Sequence, residues 1–311
     1  MNRHMKVFIS TSSFGKYDDL PIRLLQNAGL DIHLNPYGRK LAADECLSLY
    51  GDIDGLIAGT EILSAEILRS ARNLKVVSRC GAGTDNVNLE AAAELGIRVF
   101  ATADAPTQAV AELTVGLMLD LLRGISRTDR LIRTGVWQKD MGSLLRGRTL
   151  GILGLGRIGK AVAQLTQPFG LTYLAWDVAP DRQFAAEHMI QLVGLDELLR
   201  TADIVSIHLP YTAELKGIIG DRALSLMKKD AILVNTARGG LIDEAALHEA
   251  VKDGRIGGAA LDVFEQEPYT GPLRELNNVI LTAHIGSYAR EARVEMEAEA
   301  ARNLIAGLKN A

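Results

Sequence analysis

The stretch Thr149-Leu-Gly-Ile-Leu-Gly-Leu-Gly-Arg-Ile-Gly159 decides how this chain is read. Its first five residues are apolar or small and read as a buried strand. The chain then turns through Gly154, Gly156 and Gly159 and enters a helical pattern over residues 160–169. Each glycine has a mechanical reason. Gly154 permits the tight turn, Gly156 lets the backbone approach a pyrophosphate where a Cβ would collide, and Gly159 lets the helix pack closely on the strand. The unpaired N–H groups of the helix start, at the positive end of its dipole, attract a phosphate. A second strand pattern over residues 171–176 ends at Asp177, eighteen residues beyond Gly159. A carboxylate there accepts hydrogen bonds from a ribose and repels a 2′-phosphate, so NAD is expected rather than NADP. The plainer alternative is a strand–turn–helix with no ligand and a surface Asp.

Working outward, the first hundred residues alternate apolar runs with helical patterns. Strands are expected over 6–10, 31–34, 55–58, 75–78 and 97–100, with helices over 20–28, 42–50, 65–71 and 89–95. This βαβα rhythm predicts a parallel sheet covered on both faces. After its fourth strand comes Arg79-Cys-Gly-Ala-Gly-Thr-Asp-Asn86. Backbone N–H groups around Gly81, Ala82 and Gly83 either hold a carboxylate or simply make a turn capped by Asp85 or Asn86. Residues 107–122 form a helix apolar on more than one face, which is buried or carries a second face for a partner copy. Further strands are expected over 204–208, 231–235, 258–261 and 279–281, and a last helix over 291–308. The domain boundaries expected are 1–100 plus 288–311 for one domain and 101–287 for the other.

Composition narrows the function. The chain has 311 residues, enough for two domains, and a net charge of −4 that argues against nucleic acid and against an anionic membrane surface. Cys46 and Cys80 lie far apart without metal-ligand spacing, so no metal site is expected and a reducing cytoplasm suits the chain. The N-terminus has no signal-peptide pattern, and no apolar run reaches membrane-spanning length.

Three consecutive strand ends carry reactive groups. The 231–235 strand runs into Thr236-Ala-Arg238-Gly-Gly, the next into Asp262-Val-Phe-Glu-Gln-Glu267-Pro, and the last into Thr282-Ala-His284-Ile-Gly286. In an open α/β sheet, ligands bind beyond the carboxyl ends of strands. Arg238 there can fork onto a carboxylate, or pair on the surface with Asp243 or Glu244. Asp262 and Glu267 are catalytic candidates or plain capping groups. His284 and His208 both stand at strand ends, and a cation, acids and an imidazole on neighbouring loops suit proton transfer beside a cofactor.

With these residues assembled, the chain resembles the D-isomer-specific 2-hydroxyacid dehydrogenases along nearly its whole length, close to the short forms of D-3-phosphoglycerate dehydrogenase. The motifs are Gly154-Leu-Gly-Arg-Ile-Gly159, Asn235-Thr-Ala-Arg-Gly-Gly240, Ala260-Leu-Asp-Val-Phe-Glu-Gln-Glu-Pro268 and His284-Ile-Gly286. The resemblance implies a flavodoxin-like substrate domain and a Rossmann NAD-binding domain, both doubly wound α/β parallel sheets, completed by a returning last helix and with a cleft between them. It implies that Arg238 binds the substrate carboxylate and carbonyl oxygen, that His284 is the acid–base, and that Glu267 hydrogen-bonds His284 and favours its imidazolium. Asp262, Thr236 and Ala237 would touch the nicotinamide side of NAD. Arg157 and Ile158 would lie on the pyrophosphate, with His208 and Gly286 also beside the cofactor. Gly81, Ala82 and Gly83 would grip the substrate carboxylate. The implied reaction is reversible hydride transfer between NAD and C2 of a small 2-hydroxy or 2-oxo acid in a homodimer. The substrate expected first is 3-phosphoglycerate, with hydroxypyruvate or glyoxylate as the alternative. A non-catalytic NAD-sensing corepressor is the reading from a different class. Two positions depart from the pattern. Pro106 stands where many relatives have Asn, and Gly59-Thr-Glu61 replaces an Arg-Ser that many phosphoglycerate enzymes use for their substrate. The chain stops at Ala311, so serine feedback through a C-terminal domain is not expected.

Overall fold

Two parallel sheets organise the chain, each inside its own compact unit. The structure, a computed structural model, describes residues 4–310. One unit runs to Pro106 and resumes at Ser287, and the other is Thr107–Gly286.

The first unit holds β1 (Lys6–Ile9), β2 (Asp31–Leu34), β3 (Gly55–Ala58), β4 (Val76–Arg79) and β5 (Arg98–Ala101) in the order β2-β1-β3-β4-β5. Every pairing is parallel. Alternate residues feed alternate faces. Phe8, Leu56, Ala58 and Val77 enter one core, while Val7, Ile9, Ile57 and Val76 enter the other. The second of these cores is closed by the helix Arg290–Lys309, through Met296, Ala300, Ala301, Leu304 and Leu308. That helix approaches the sheet so closely that a Cβ on Gly307 would lie 2.8 Å from Val76 Cγ1. A buried Glu297 on it accepts the Gly15 N–H (2.8 Å) and the Arg293 Nε–H (2.8 Å), tying the loop after β1 to the helix.

The second unit holds β6 (Thr149–Leu153), β7 (Thr172–Trp176), β8 (Ile190–Leu192), β9 (Ile204–Ile207), β10 (Ile232–Asn235), β11 (Gly258–Leu261) and β12 (Val279–Leu281). Their order is β12-β11-β10-β9-β6-β7-β8, again wholly parallel. The sheet is therefore doubly wound about β6, with the switch in strand order between β6 and β9, the place where such sheets take ligands. Leu153, Val205, Leu233 and Leu261 feed one face, and Ile152, Ile204, Val234 and Ala260 the other. A fully buried side chain of this size contributes about 2 kcal/mol.

Several sequence expectations shift. The helix after the glycine turn begins at Arg157, not Lys160, because Gly156 is already its extended N-cap (φ −78°, ψ −161°). It ends at Thr166, and a 3₁₀ turn over Gln167–Phe169 follows, where Pro168 has no N–H to continue an α-helical ladder. The strands expected at 75–78 and 97–100 lie one residue later, as β4 and β5. The helix Thr107–Arg123 buries Leu117, Met118 and Leu122 in a core of its own unit. Gly124, left-handed at φ 62°, ends it and caps the helix Ile125–Arg133, which buries no residue.

Candidate active site

The glycine turn sits at the carboxyl end of β6, and its three glycines answer to different neighbours. Gly154 has φ +96°, and a Cβ there would lie 2.7 Å from the His208 carbonyl oxygen. At Gly159 a Cβ would sit 2.1 Å from the Gly154 carbonyl oxygen, so helix and turn meet backbone on backbone. Gly156 meets nothing within 4 Å. Packing within the chain does not demand its glycine, which leaves room for a ligand close to the backbone beside Arg157 and Ile158. Asp177 follows β7, where its Oδ2 accepts the Leu155 N–H at 2.7 Å and its Oδ1 the Ala179 N–H at 2.8 Å. The second bond turns the chain, while the first holds the carboxylate against the glycine turn. A pyrophosphate over Gly156 and a ribose at Asp177 fit this cradle.

His208 closes the same edge from the end of β9. Its Nε2 is 2.8 Å from Ser206 Oγ, and its Nδ1 is buried with no hydrogen-bond partner among the described residues. Burial lowers the imidazole to about 3, so the ring is neutral at neutral pH.

The next three strand ends converge. At the last position of β10, Asn235 is 1% exposed. Its Oδ1 accepts the Ala237 N–H (3.0 Å) and its Nδ2 donates to the Arg238 carbonyl (2.9 Å). Thr236 Oγ1 lies 2.8 Å from Thr114 Oγ1 on the Thr107–Arg123 helix. Arg238 projects from this loop and donates to the Ala237 carbonyl at 2.7 Å. Asp243 caps the helix Glu244–Lys252 through the N–H groups of Ala245 and Ala246, and Glu244 accepts the Glu265 N–H. Gly239 abuts the following loop, since a Cβ there would lie 2.0 Å from the Phe264 carbonyl. That loop carries Glu267, which accepts the His284 Nδ1–H at 2.9 Å through Oε2. His284 stands beyond β12 in a left-handed conformation, φ 54°. Both side chains keep an exposed face, 41% for the imidazole and 36% for the carboxylate. With Nδ1 committed to Glu267, Nε2 is the nitrogen left to exchange a proton.

Asp262 is turned onto the loop that carries His284. It is 1% exposed, and its two oxygens receive the Thr282 Oγ1–H (2.6 Å), the Ile285 N–H (2.8 Å) and the Gly286 N–H (2.8 Å). All three donors flank His284. Asn235 carries no role of its own in the motif that begins with it, and Thr114 none in its helix, when only the sequence is read. The signal available for Asn235 was a polar residue closing an otherwise apolar strand.

In the first unit, the Gly81–Gly83 loop leaves the carboxyl end of β4. Its expected grip is narrower than three N–H groups, because Gly81 N–H already donates to Thr102 Oγ1 at 2.8 Å. A second feature at this edge was not foreseen. Glu61 is 2% exposed, and its Oε1 accepts from Ser10 Oγ (2.5 Å), Tyr50 OH (3.2 Å) and Gly59 N–H (3.2 Å). Asn86 Nδ2 donates to the Glu61 carbonyl (2.6 Å), and its Oδ1 accepts from Arg79 Nε (3.0 Å). This lattice locks the loops after β1, β3 and β4 together. It centres on the switch between β1 and β3, with a carboxylate inside.

Among the described residues no group of side chains has the makings of a metal site, and no helix is long and apolar enough to cross a membrane. Residues 115–286 match the family described as D-isomer specific 2-hydroxyacid dehydrogenase, NAD binding domain. A D-3-phosphoglycerate dehydrogenase of Methanocaldococcus jannaschii is 43% identical over 81% of this chain, yet the match spans only 49% of that protein. A glyoxylate reductase of Thermofilum pendens is 44% identical over 86% of this chain and 81% of its own length. Among solved structures, the TT0316 protein of Thermus thermophilus superposes with a TM-score of 0.91 at 37% identity, covering 98% of this chain and 97% of that one.

Proposed function

Because the chain belongs to the D-isomer-specific 2-hydroxyacid dehydrogenase family, we propose that it interconverts a small D-2-hydroxy acid and its 2-oxo acid with NAD. The observation that carries this reading is the His284–Glu267 pair, whose carboxylate stands on the loop that abuts the one bearing Arg238. Bound NADH supplies the hydride that C2 of the oxo acid accepts. His284 donates the proton from Nε2 to the oxygen that becomes the hydroxyl, and recovers it in the reverse direction. Glu267 holds the ring through Nδ1 and leaves Nε2 to exchange the proton. Arg238 binds the substrate carboxylate and offsets the negative charge that develops on the oxygen. In the other unit, Ala82 and Gly83 offer backbone N–H groups of the kind that suit a carboxylate.

Between the two substrates considered, an unphosphorylated one is favoured. The carboxylate of Glu61 lies inside the loop lattice where a phosphate would need cations, and Arg79 is already bonded to Asn86 and to the Cys80 carbonyl. The glyoxylate reductase is also matched over more of its length than the phosphoglycerate dehydrogenase. Glyoxylate or hydroxypyruvate is therefore the proposed substrate, ahead of the phosphoglycerate that the sequence suggested. The assay is NADH oxidation with glyoxylate, hydroxypyruvate and 3-phosphohydroxypyruvate. His284→Ala is expected to lose turnover by at least about a thousandfold while NADH still binds. Undiminished turnover in that variant would remove His284 from the mechanism. NADH binding with no turnover by the wild-type chain on any of the three would favour the sensor reading instead.

A homodimer is part of the same proposal. Ile125, Ile132, Val136, Trp137, Met141 and Leu144 are all exposed within one short stretch, Trp137 at 81% and Met141 at 99%. Exposed apolar side chains concentrated in one stretch suit a partner copy. Light scattering on wild type and Trp137→Glu checks it, a dimer and a weakened dimer being expected. The unbridged, buried thiols of Cys46 and Cys80 suit a reducing compartment such as the cytoplasm.

A further inference from the structure

Arg238 and His284 both stand on irregular loops, and a loop alone does not hold two reacting groups to a fraction of an ångström. The holding is done one step back, at the strand tips. β10 and β11 are neighbours, and the Asp262 N–H donates to the Asn235 carbonyl at 2.9 Å, so the two tips are joined by the ladder itself. Each tip then carries a side chain that is 1% exposed and turned onto the loop bearing a reactive group. Asn235 offers one acceptor and one donor, placed against an N–H and a carbonyl on either side of the Arg238 Cα. Asp262 offers acceptors only, placed against two N–H groups and a hydroxyl around His284. Each matches its partners in a way that the other cannot. A histidine at positive φ is costly unless its surroundings hold it there, and the three donors gathered by Asp262 supply that restraint. Gly239 completes the arrangement by letting the first loop rest on the Phe264 backbone.

We infer that Asn235 and Asp262 act together as positioning residues. They form a frame at adjacent strand tips that fixes where Arg238 and His284 stand relative to each other. The inference rests on the roles proposed above for Arg238 and His284.

The test is a pair of isosteric exchanges, Asn235→Asp and Asp262→Asn, assayed with glyoxylate and either NADH or NADH deuterated at the transferred position. Asn235→Asp sets a carboxylate oxygen against the Arg238 carbonyl and should raise the KM for the oxo acid by about tenfold or more. Asp262→Asn turns an amide donor onto an N–H group and should lower kcat by about tenfold or more. In Asp262→Asn the isotope effect on kcat should grow, because hydride transfer itself has slowed. NADH affinity, measured by fluorescence, should stay within about threefold in both variants. Thr282→Val removes only one of the three donors and should show the Asp262→Asn pattern at smaller amplitude, even if that variant folds poorly. The inference fails if both exchanges leave kcat and KM unchanged. It also fails if Asp262→Asn weakens NADH binding about tenfold with kcat intact, which would make Asp262 a cofactor ligand, or if kcat falls with an unchanged isotope effect, which would make the loss one of folded enzyme. No turnover by the wild-type chain sinks the proposed function and this inference together. Wild-type turnover with indifferent variants sinks this inference alone.

Discussion

Asp177 is the residue proposed to select the dinucleotide. An adenosine ribose bound beside the glycine turn would meet its carboxylate, and Asn in its place keeps the shape while removing the charge that repels a 2′-phosphate. Asp177→Asn is expected to raise kcat/KM with NADPH relative to NADH by about tenfold or more; steady-state assays with both coenzymes check it. His208 leads to a pH prediction. Its imidazole is lowered from 6.5 to about 3 by burial, so between those values the unfolded chain binds a proton that the folded one does not. This contribution to stability is present above about pH 6.5 and is lost as pH falls toward 3, at up to about 1.4 kcal/mol per pH unit. His208→Asn should flatten the fall in melting temperature between pH 7 and pH 5. Single residues were also where the sequence was hardest to read. Arg238, Glu267 and His284 were legible because charged groups at three successive strand ends are chemically conspicuous. The left-handed backbone of His284 and the inward turn of Glu61 carry no comparable mark, since both are consequences of neighbours far along the chain.

At the scale of elements, the glycine turn separates two causes that one motif conceals. Gly159→Ala would force a Cβ onto the Gly154 carbonyl, and a destabilisation of roughly 1–3 kcal/mol is expected. Gly156→Ala meets no protein atom and should leave the melting temperature alone while weakening NADH by about tenfold or more. Thermal melts and NADH titrations on the two variants should therefore give opposite patterns. Strands buried on both faces, such as β3 and β10, announce themselves as unbroken apolar runs, and their positions were readable to within a residue. The helix that starts at Arg157 was not, because Arg-Ile-Gly looks like turn until the extended Gly156 is known to cap it. The strand β8 escaped notice for a simpler reason. Three residues at a sheet edge, only the first of them fully buried, carry too little pattern to detect.

For the molecule as a whole, the route of the chain matters more than any one contact. The second unit interrupts the first, and the helix Arg290–Lys309 comes back to pack against β3, β4 and β5. The last segment therefore belongs to a core begun almost three hundred residues earlier. If residues 1–106 and 107–311 are produced as separate polypeptides in one cell, they should co-purify on a tag carried by either. Leu304→Asp with Leu308→Asp should abolish that recovery, because both side chains are buried in the shared core. Residues 1–106 made alone would show the bare apolar face of their sheet to water and should aggregate. A ribosome making this protein meets the same condition in time. Until the final helix emerges, the earliest part of the chain waits with one face uncovered, and chaperone demand should be highest in that interval.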